Sequence, residues 1–163
     1  MKVIIDTGPV IALAKVRHIF LIQSLFDKVI MPQAVYKELM ANVGDEGKAI
    51  DHAINSFIKI EEVKTENAEQ IEPRMHNLGI GEQEVIMLAM RIKEETLLIL
   101  DDKAARSFVK HLDISFTGIV GLILMAKDKG LIKEAFEILS KIRDQGYWLS
   151  DKMLQEAKQM AGA

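Results

Sequence analysis

Acidic side chains stand where a parallel sheet would present them. Asp6 ends the apolar run Val3-Ile4-Ile5 and precedes Thr7-Gly8-Pro9, a turn that leads into an apolar helix. Asp101 and Asp102 repeat the arrangement after Leu97-Leu98-Ile99-Leu100. Open parallel sheets bind ligands beyond the carboxyl ends of their strands, so both sets of carboxylates are expected at one edge. Glu38, and Glu82 with Glu84, fall in segments of helical spacing; helices packed beside those strand ends would bring further acids to the same place. Hard divalent cations need oxygen ligands, and Mg²⁺ typically keeps waters while taking one or two carboxylates directly. Three or four acids could therefore hold one or two ions. Ions about 3.5 to 4 Å apart can activate a water and stabilise the leaving oxygen in phosphodiester hydrolysis.

Taken singly, each acid has a plainer reading. An Asp after a strand is most often a turn former or helix cap, and most glutamates on helices are solvated. Glu82 and Glu84 could complement a helix dipole, and one of Asp101 and Asp102 is expected to be an N-cap. The order of the ensemble is harder to dismiss than any member.

The elements that must position these acids follow from apolar patterning. Short apolar runs at residues 3–5, 29–31, 58–63 (with interruptions), 97–100 and 114–116 read as strands, most of them interior to a sheet. Between them lie segments with apolar spacing of three and four, such as Val85, Ile86, Leu88, Ala89 and Ile92, which read as amphipathic helices. Alternation of the two implies βα units and a parallel sheet, so the fold class is α/β. Pro32 suits the first turn of a helix running to about Met40, and Gly81 opens another. Thr117 is placed to N-cap a helix over residues 119–127. Beyond Gly130 the pattern is helical only: residues 131–143, a break at Gln145-Gly146-Tyr147, then residues 149–160. Residues 42–48 read as a loop, and the polar stretch 64–77 as mobile in part.

Composition narrows the function classes. Apolar residues make up 49% and charged residues 28%, the balance of a globular protein rather than a disordered one. The absence of cysteine excludes disulfides, thiolate zinc sites and a Cys nucleophile. No stretch reaches about 18 uninterrupted apolar residues, so no membrane association and a cytoplasmic location are expected. A net charge of −3 with pI near 5.8 argues against a broad basic face. An acidic nuclease is still admissible, because bound cations offset a carboxylate cluster locally. His18, His52, His76 and His111 show no metal-ligand spacing. Trp148, beside Tyr147, could stack a base but reads more readily as an anchor for the last helix.

Four stretches in order carry a resemblance: residues 3–13 (VIIDTGPVIAL), 31–39 (MPQAVYKEL), 78–89 (LGIGEQEVIMLA) and 97–106 (LLILDDKAAR). Together they resemble the PIN-domain superfamily, and within it the compact prokaryotic branch related to toxin ribonucleases of toxin–antitoxin pairs. The match spans about residues 1 to 125; the expected organisation is one domain over residues 1–163, with 131–163 a helical tail packed on it. The resemblance implies a three-layer α/β/α sandwich with a central parallel sheet and an acidic pocket for Mg²⁺ or Mn²⁺. Carried over residue by residue, it makes Asp6, Glu38, Glu82 and Asp102 the catalytic acids, with Asp101 close behind Asp102 as a ligand. Glu82 stands where many relatives have aspartate, and Glu84 is an extra carboxylate. Thr7 occupies a hydroxyl position that could orient a water or phosphate, or make a turn hydrogen bond. Lys103 and Arg106 could steady an RNA phosphate, although a solvated helix face is the plainer reading.

The leading expectation is an endoribonuclease using metal-activated water, with an RNA substrate. The family analogy adds a homodimer and inhibition by a small antitoxin-like protein. A catalytically silent PIN-like binding module is the alternative. A Mg²⁺ phosphotransferase working through an aspartyl phosphate is a third reading, but Asp6-Thr7-Gly8 lacks the second acid two residues on that the haloacid-dehalogenase type requires.

Overall fold

Five parallel strands form the centre of the computed structural model, which describes residues 1–64, 73–92 and 94–160. In chain order they are β1 (Lys2–Ile5), β2 (Lys28–Pro32), β3 (Ile58–Glu61), β4 (Thr96–Ile99) and β5 (Ser115–Thr117). Val3, Ile4 and Ile5 of β1 and Leu98 and Ile99 of β4 are wholly buried. A parallel sheet covered on both faces buries every side chain of its inner strands, so these runs lack the alternation of a half-exposed sheet. The spatial order is β3-β2-β1-β4-β5: the chain builds outward from β1 to β3, then crosses back to place β4 on the other side of β1. Ile4 lies opposite Leu98 and Ile5 opposite Ile99. Strand order reverses between these neighbours, and such a reversal leaves a crevice beyond the carboxyl ends.

The helices among the described residues are α1 (Thr7–Lys15), α2 (Phe20–Leu25), α3 (Gln33–Ala41), α4 (Gly47–Ser56), α5 (Ile80–Arg91), α6 (Lys103–Val109), α7 (Ile119–Asp128), α8 (Ala135–Asp144) and α9 (Asp151–Met160). They complete a three-layer α/β/α sandwich. α5 packs on β1, β2 and β4 and against α3, while α8 and α9 pack on each other and on α7. None of these helices is long and apolar enough to cross a membrane.

Boundaries differ from the pattern reading for local reasons. Pro32, expected inside the first turn of α3, instead ends β2, where it pairs with Glu61, and stands extended just before the helix. β3 stops at Glu61 rather than residue 63, and α4 already begins at Gly47, so the loop expected over 42–48 is shorter. The helix expected from Leu131 starts only at Ala135. α7 is closed by Leu131 N–H donating to the Ala126 carbonyl at 2.9 Å, a helix-end motif that turns the chain away. Of the stretch expected to be mobile, residues 65–72 lie outside the described residues, whereas Pro73–Asn77 form a 3₁₀ turn with Met75 buried.

Leu98 is fully enclosed at the centre of the sheet. Leu98→Ala is expected to lower unfolding free energy by about 2–5 kcal/mol, read as a shifted midpoint in urea at unchanged slope.

Candidate active site

Backbone hydrogen bonds carry the ladder past the strand ends and so place the acids. Asp6 N–H donates to the Ile99 carbonyl at 3.0 Å, and Leu100 N–H donates to that of Thr117 at 3.0 Å. Asp6 occupies the N-cap position of α1, but its side chain makes no capping hydrogen bond, which leaves the carboxylate turned to the crevice. Asp102 is the N-cap of α6: one carboxylate oxygen accepts from Ala105 N–H at 2.9 Å. α3 carries Glu38, and Glu82 sits in the first turn of α5.

These elements enclose a cleft of about 390 Å³ lined by Asp6, Thr7, Glu38, Glu82 and Asp102, with Asp101, Asn42 and Tyr147 at its wall. Gly81 lets two of the acids approach α5. A Cβ there would lie 2.9 Å from Glu38 Oε2 and 3.7 Å from Asp6 Oδ1. Asp6 is only 6% exposed, and its carboxyl is pushed up to about 7, first by burial and then by Glu82, Glu38 and Asp102, with the Thr7 N–H pulling the other way. Glu82 is raised too, mainly by burial, with Asp102 and Glu38 adding repulsion.

The donor set fits a hard divalent cation. Apart from the Asn42 amide, every side-chain donor offered is a carboxylate or hydroxyl oxygen, the kind Mg²⁺ and Mn²⁺ take. Thr7 Oγ1 is buried without a hydrogen-bond partner, a costly state that a ligand, ion or water in the cleft would relieve. Among the described residues no three or more such side chains close into a ready-made cage, so the arrangement is an open rim of oxygens.

The remaining candidates are placed differently. Glu84 accepts from Ala34 N–H at 3.1 Å and so caps α3, whose own N-cap, Pro32, has no acceptor side chain. It faces a separate depression, shared with Glu38, Lys37 and Ile80. Asp101 accepts from Ile119 N–H through both oxygens, at 3.2 and 3.1 Å, and from the Tyr147 hydroxyl. It therefore caps α7, a role expected of Thr117; the N-cap position falls on Gly118, which has no side chain. Burial raises the Asp101 carboxyl, while Tyr147, Ile119 and Arg106 oppose the shift. Lys103 is exposed, and Arg106 stands 4.0 Å from Asp101 with its guanidinium 5.1 Å from the Phe116 ring centre. The histidines are bonded locally or exposed, His18 to the Val16 carbonyl and His52 to Ser56.

Tyr147 and Asn42 escaped the sequence reading. Tyr147 reaches the site because α8 ends on Gly146, whose φ of +98° is a left-handed value natural to glycine. The chain turns there, with Tyr147 N–H donating to the Ile142 carbonyl. Burial and Asp101 push the tyrosine hydroxyl far above its ordinary range, so it remains a donor. Trp148, expected to anchor the last helix, is 77% exposed; Leu149, Leu154 and Ala157 bury instead. The two chain neighbours of Trp148 are the ones held inward, Tyr147 by its bond to Asp101 and Leu149 by burial.

The molecule is thus a parallel α/β protein with a carboxylate-lined crevice at its strand-order reversal. A PIN-domain family model matches residues 2–163, and the chain belongs to that family, whose members are generally nucleases. The match continues through α8 and α9, past the limit near residue 125 suggested by the motifs. No curated protein matches the chain.

The raised Asp6 carboxyl ties stability to pH. Its folded pKa of about 7 exceeds the ordinary 3.8, so ionisation opposes folding. The penalty is absent below about pH 4, grows as pH rises towards 7, and is constant above. Without divalent cations, Asp6→Asn should stabilise the protein by on the order of 2–4 kcal/mol at pH 8 and by little at pH 4. Denaturation at both pH values checks this; a pH-independent difference contradicts it.

Proposed function

We propose that this protein is a Mg²⁺- or Mn²⁺-dependent endoribonuclease that hydrolyses phosphodiester bonds without a covalent enzyme intermediate. The observation that carries the reading is the meeting of Asp6, Glu38, Glu82 and Asp102, from separate elements, around one cleft at the sheet's switch point. Beyond the Asp102 cap of α6, such an arrangement has no structural use of its own, since crowded like charges weaken a fold. It has a chemical use as a set of oxygen ligands. When bound, a divalent cation supplies positive charge against a phosphodiester and makes water an effective nucleophile at neutral pH.

The chain's own residues do the rest. Asp6, at the floor of the cleft, and Glu38, Glu82 and Asp102 around it hold the cation. Asp102 keeps one oxygen on the α6 backbone, which fixes the orientation of the other. The Thr7 hydroxyl, buried and without a partner, donates to a phosphate oxygen or holds a water. Lys103 and Arg106 on α6 offset the charge of the approaching backbone. Tyr147 holds Asp101 in place and closes one side of the cleft.

Cleavage of unstructured RNA is expected with Mn²⁺ or Mg²⁺ and to stop in EDTA. Asp6→Asn should slow it by more than about 100-fold, beyond what losing an outer-shell partner of a ligand costs, while circular dichroism stays unchanged. Full activity in Asp6→Asn would overturn the assignment of this cleft as the active site, and no cleavage with either ion would overturn the nuclease reading in favour of a silent binding module.

Gly81→Ala separates stability from activity. Alanine is the better helix former by about 1 kcal/mol, and the atom it meets first is the flexible end of Glu38. Thermal stability should hold or rise while cleavage falls by roughly tenfold, within the range for disturbed ligand support; unchanged cleavage would mean that Glu38 needs no access to α5.

A further inference from the structure

Beside the acid cleft lies a larger open pocket of about 510 Å³, and Asp101 and Tyr147 line both. One side is a face of α6 and its continuation. Lys103, Arg106, Ser107 and Lys110 line the pocket and follow at spacings of three and four, so they stand above one another, along about 10 Å of axis. Neither Lys103 nor Lys110 forms an ion pair with another described residue. Arg106 is backed by Asp101 and Phe116 and so is oriented. In a chain of net charge −3, this cationic row is a local feature.

The other side is Trp148, the chain's one tryptophan, 77% exposed. A large indole normally contributes by burying 150–250 Å², and here it is left in water. Its two neighbours are fixed: Tyr147 by its bond to Asp101, and Leu149 by burial. The ring is presented on a braced segment while adding little to the core.

We propose that this pocket is a nucleotide subsite for single-stranded nucleic acid, in which the α6 cations hold a backbone phosphate and Trp148 stacks an unpaired base. It extends the nuclease reading above and rests on it for the direction of the strand, which runs from the subsite into the acid cleft past Asp101 and Tyr147. A cationic groove with an aromatic platform is the usual arrangement for single strands, because every base offers a π-face. A duplex keeps its bases stacked internally and offers none to the indole. The same geometry selects unpaired RNA regions over helices.

The test uses the full chain in EDTA, with a short oligoadenylate and a self-complementary RNA duplex as probes. Trp148 is the sole tryptophan, so its emission reports the subsite directly. Saturable quenching by the single strand and none by the duplex is expected. Trp148→Ala should weaken binding on the order of tenfold by anisotropy of a labelled strand. Lys103→Gln and Lys110→Gln should each lower the salt slope of binding by about 1. Equal quenching by duplex, or binding unaffected by Trp148→Ala, overturns the proposal. The two readings fail separately. Quenching without any Mn²⁺-dependent cleavage leaves the subsite standing and removes the nuclease. Cleavage whose KM is untouched by Trp148→Ala removes the subsite alone.

Discussion

Burial of the Asp6 carboxylate at the carboxyl edge of β1 and β4, with other acids beside it, is the constraint that the remaining structure accommodates. Asp6 is buried within reach of Glu82, Glu38 and Asp102, and a charge so placed opposes folding by several kcal/mol. The strand that delivers it offsets the cost. Val3, Ile4 and Ile5 are each wholly buried, and such side chains contribute about 1.5–3 kcal/mol apiece. Extending the ladder past Ile5, through the bond from Asp6 N–H to Ile99, denies the carboxylate an easy escape. The core therefore acts as a clamp as well as a source of stability.

The paired acids divide into two duties, and helix ends explain the division. α3 and α7 both begin after residues whose side chains cannot cap them, Pro32 and Gly118. Each borrows a carboxylate from a neighbouring element: Glu84 caps α3 and Asp101 caps α7. The partner acids, Glu82 and Asp102, face the cleft, Asp102 while also capping α6 with one oxygen. Geometry makes the split unavoidable on α5, since residues two apart on a helix are about 200° around the axis from each other. One acid of that pair can enter the cleft while the other holds a helix.

Much of this was legible in the primary structure, and the remainder was hidden for identifiable reasons. Uninterrupted apolar runs ending in Asp6 and in Asp101 and Asp102 indicate buried parallel strands and their functional edge, because period and burial are local properties. The choice within each acid pair was not local: it depends on which distant helix lacks a cap. Tyr147 was unreadable for a similar reason, since its place depends on the reversal at Gly146 and on a partner 46 residues away. Trp148 was misjudged because aromaticity beside an apolar helix suggests anchoring, whereas the anchoring of its neighbours is what turns the indole outward.

Asp101 also bears on how, on the proposed reading, an acidic chain would hold a polyanion close. Its carboxylate is surrounded by donors, the Ile119 N–H, the Tyr147 hydroxyl and, at longer range, Arg106. It adds little repulsion to the cleft and helps aim Arg106 across Phe116. Charges separated by more than about 8 Å in physiological salt are largely screened, so the net charge of −3 says little about the field a strand meets here. What matters is the local sequence of signs: a cationic row on α6, a neutralised wall at Asp101, then the acid floor at Asp6. On the proposed reading, a phosphate would be drawn to the first, pass the second at small cost, and reach the third only once cations had offset the charge of the acids. The order of the signs therefore makes binding at the rim separable from entry into the acid cleft.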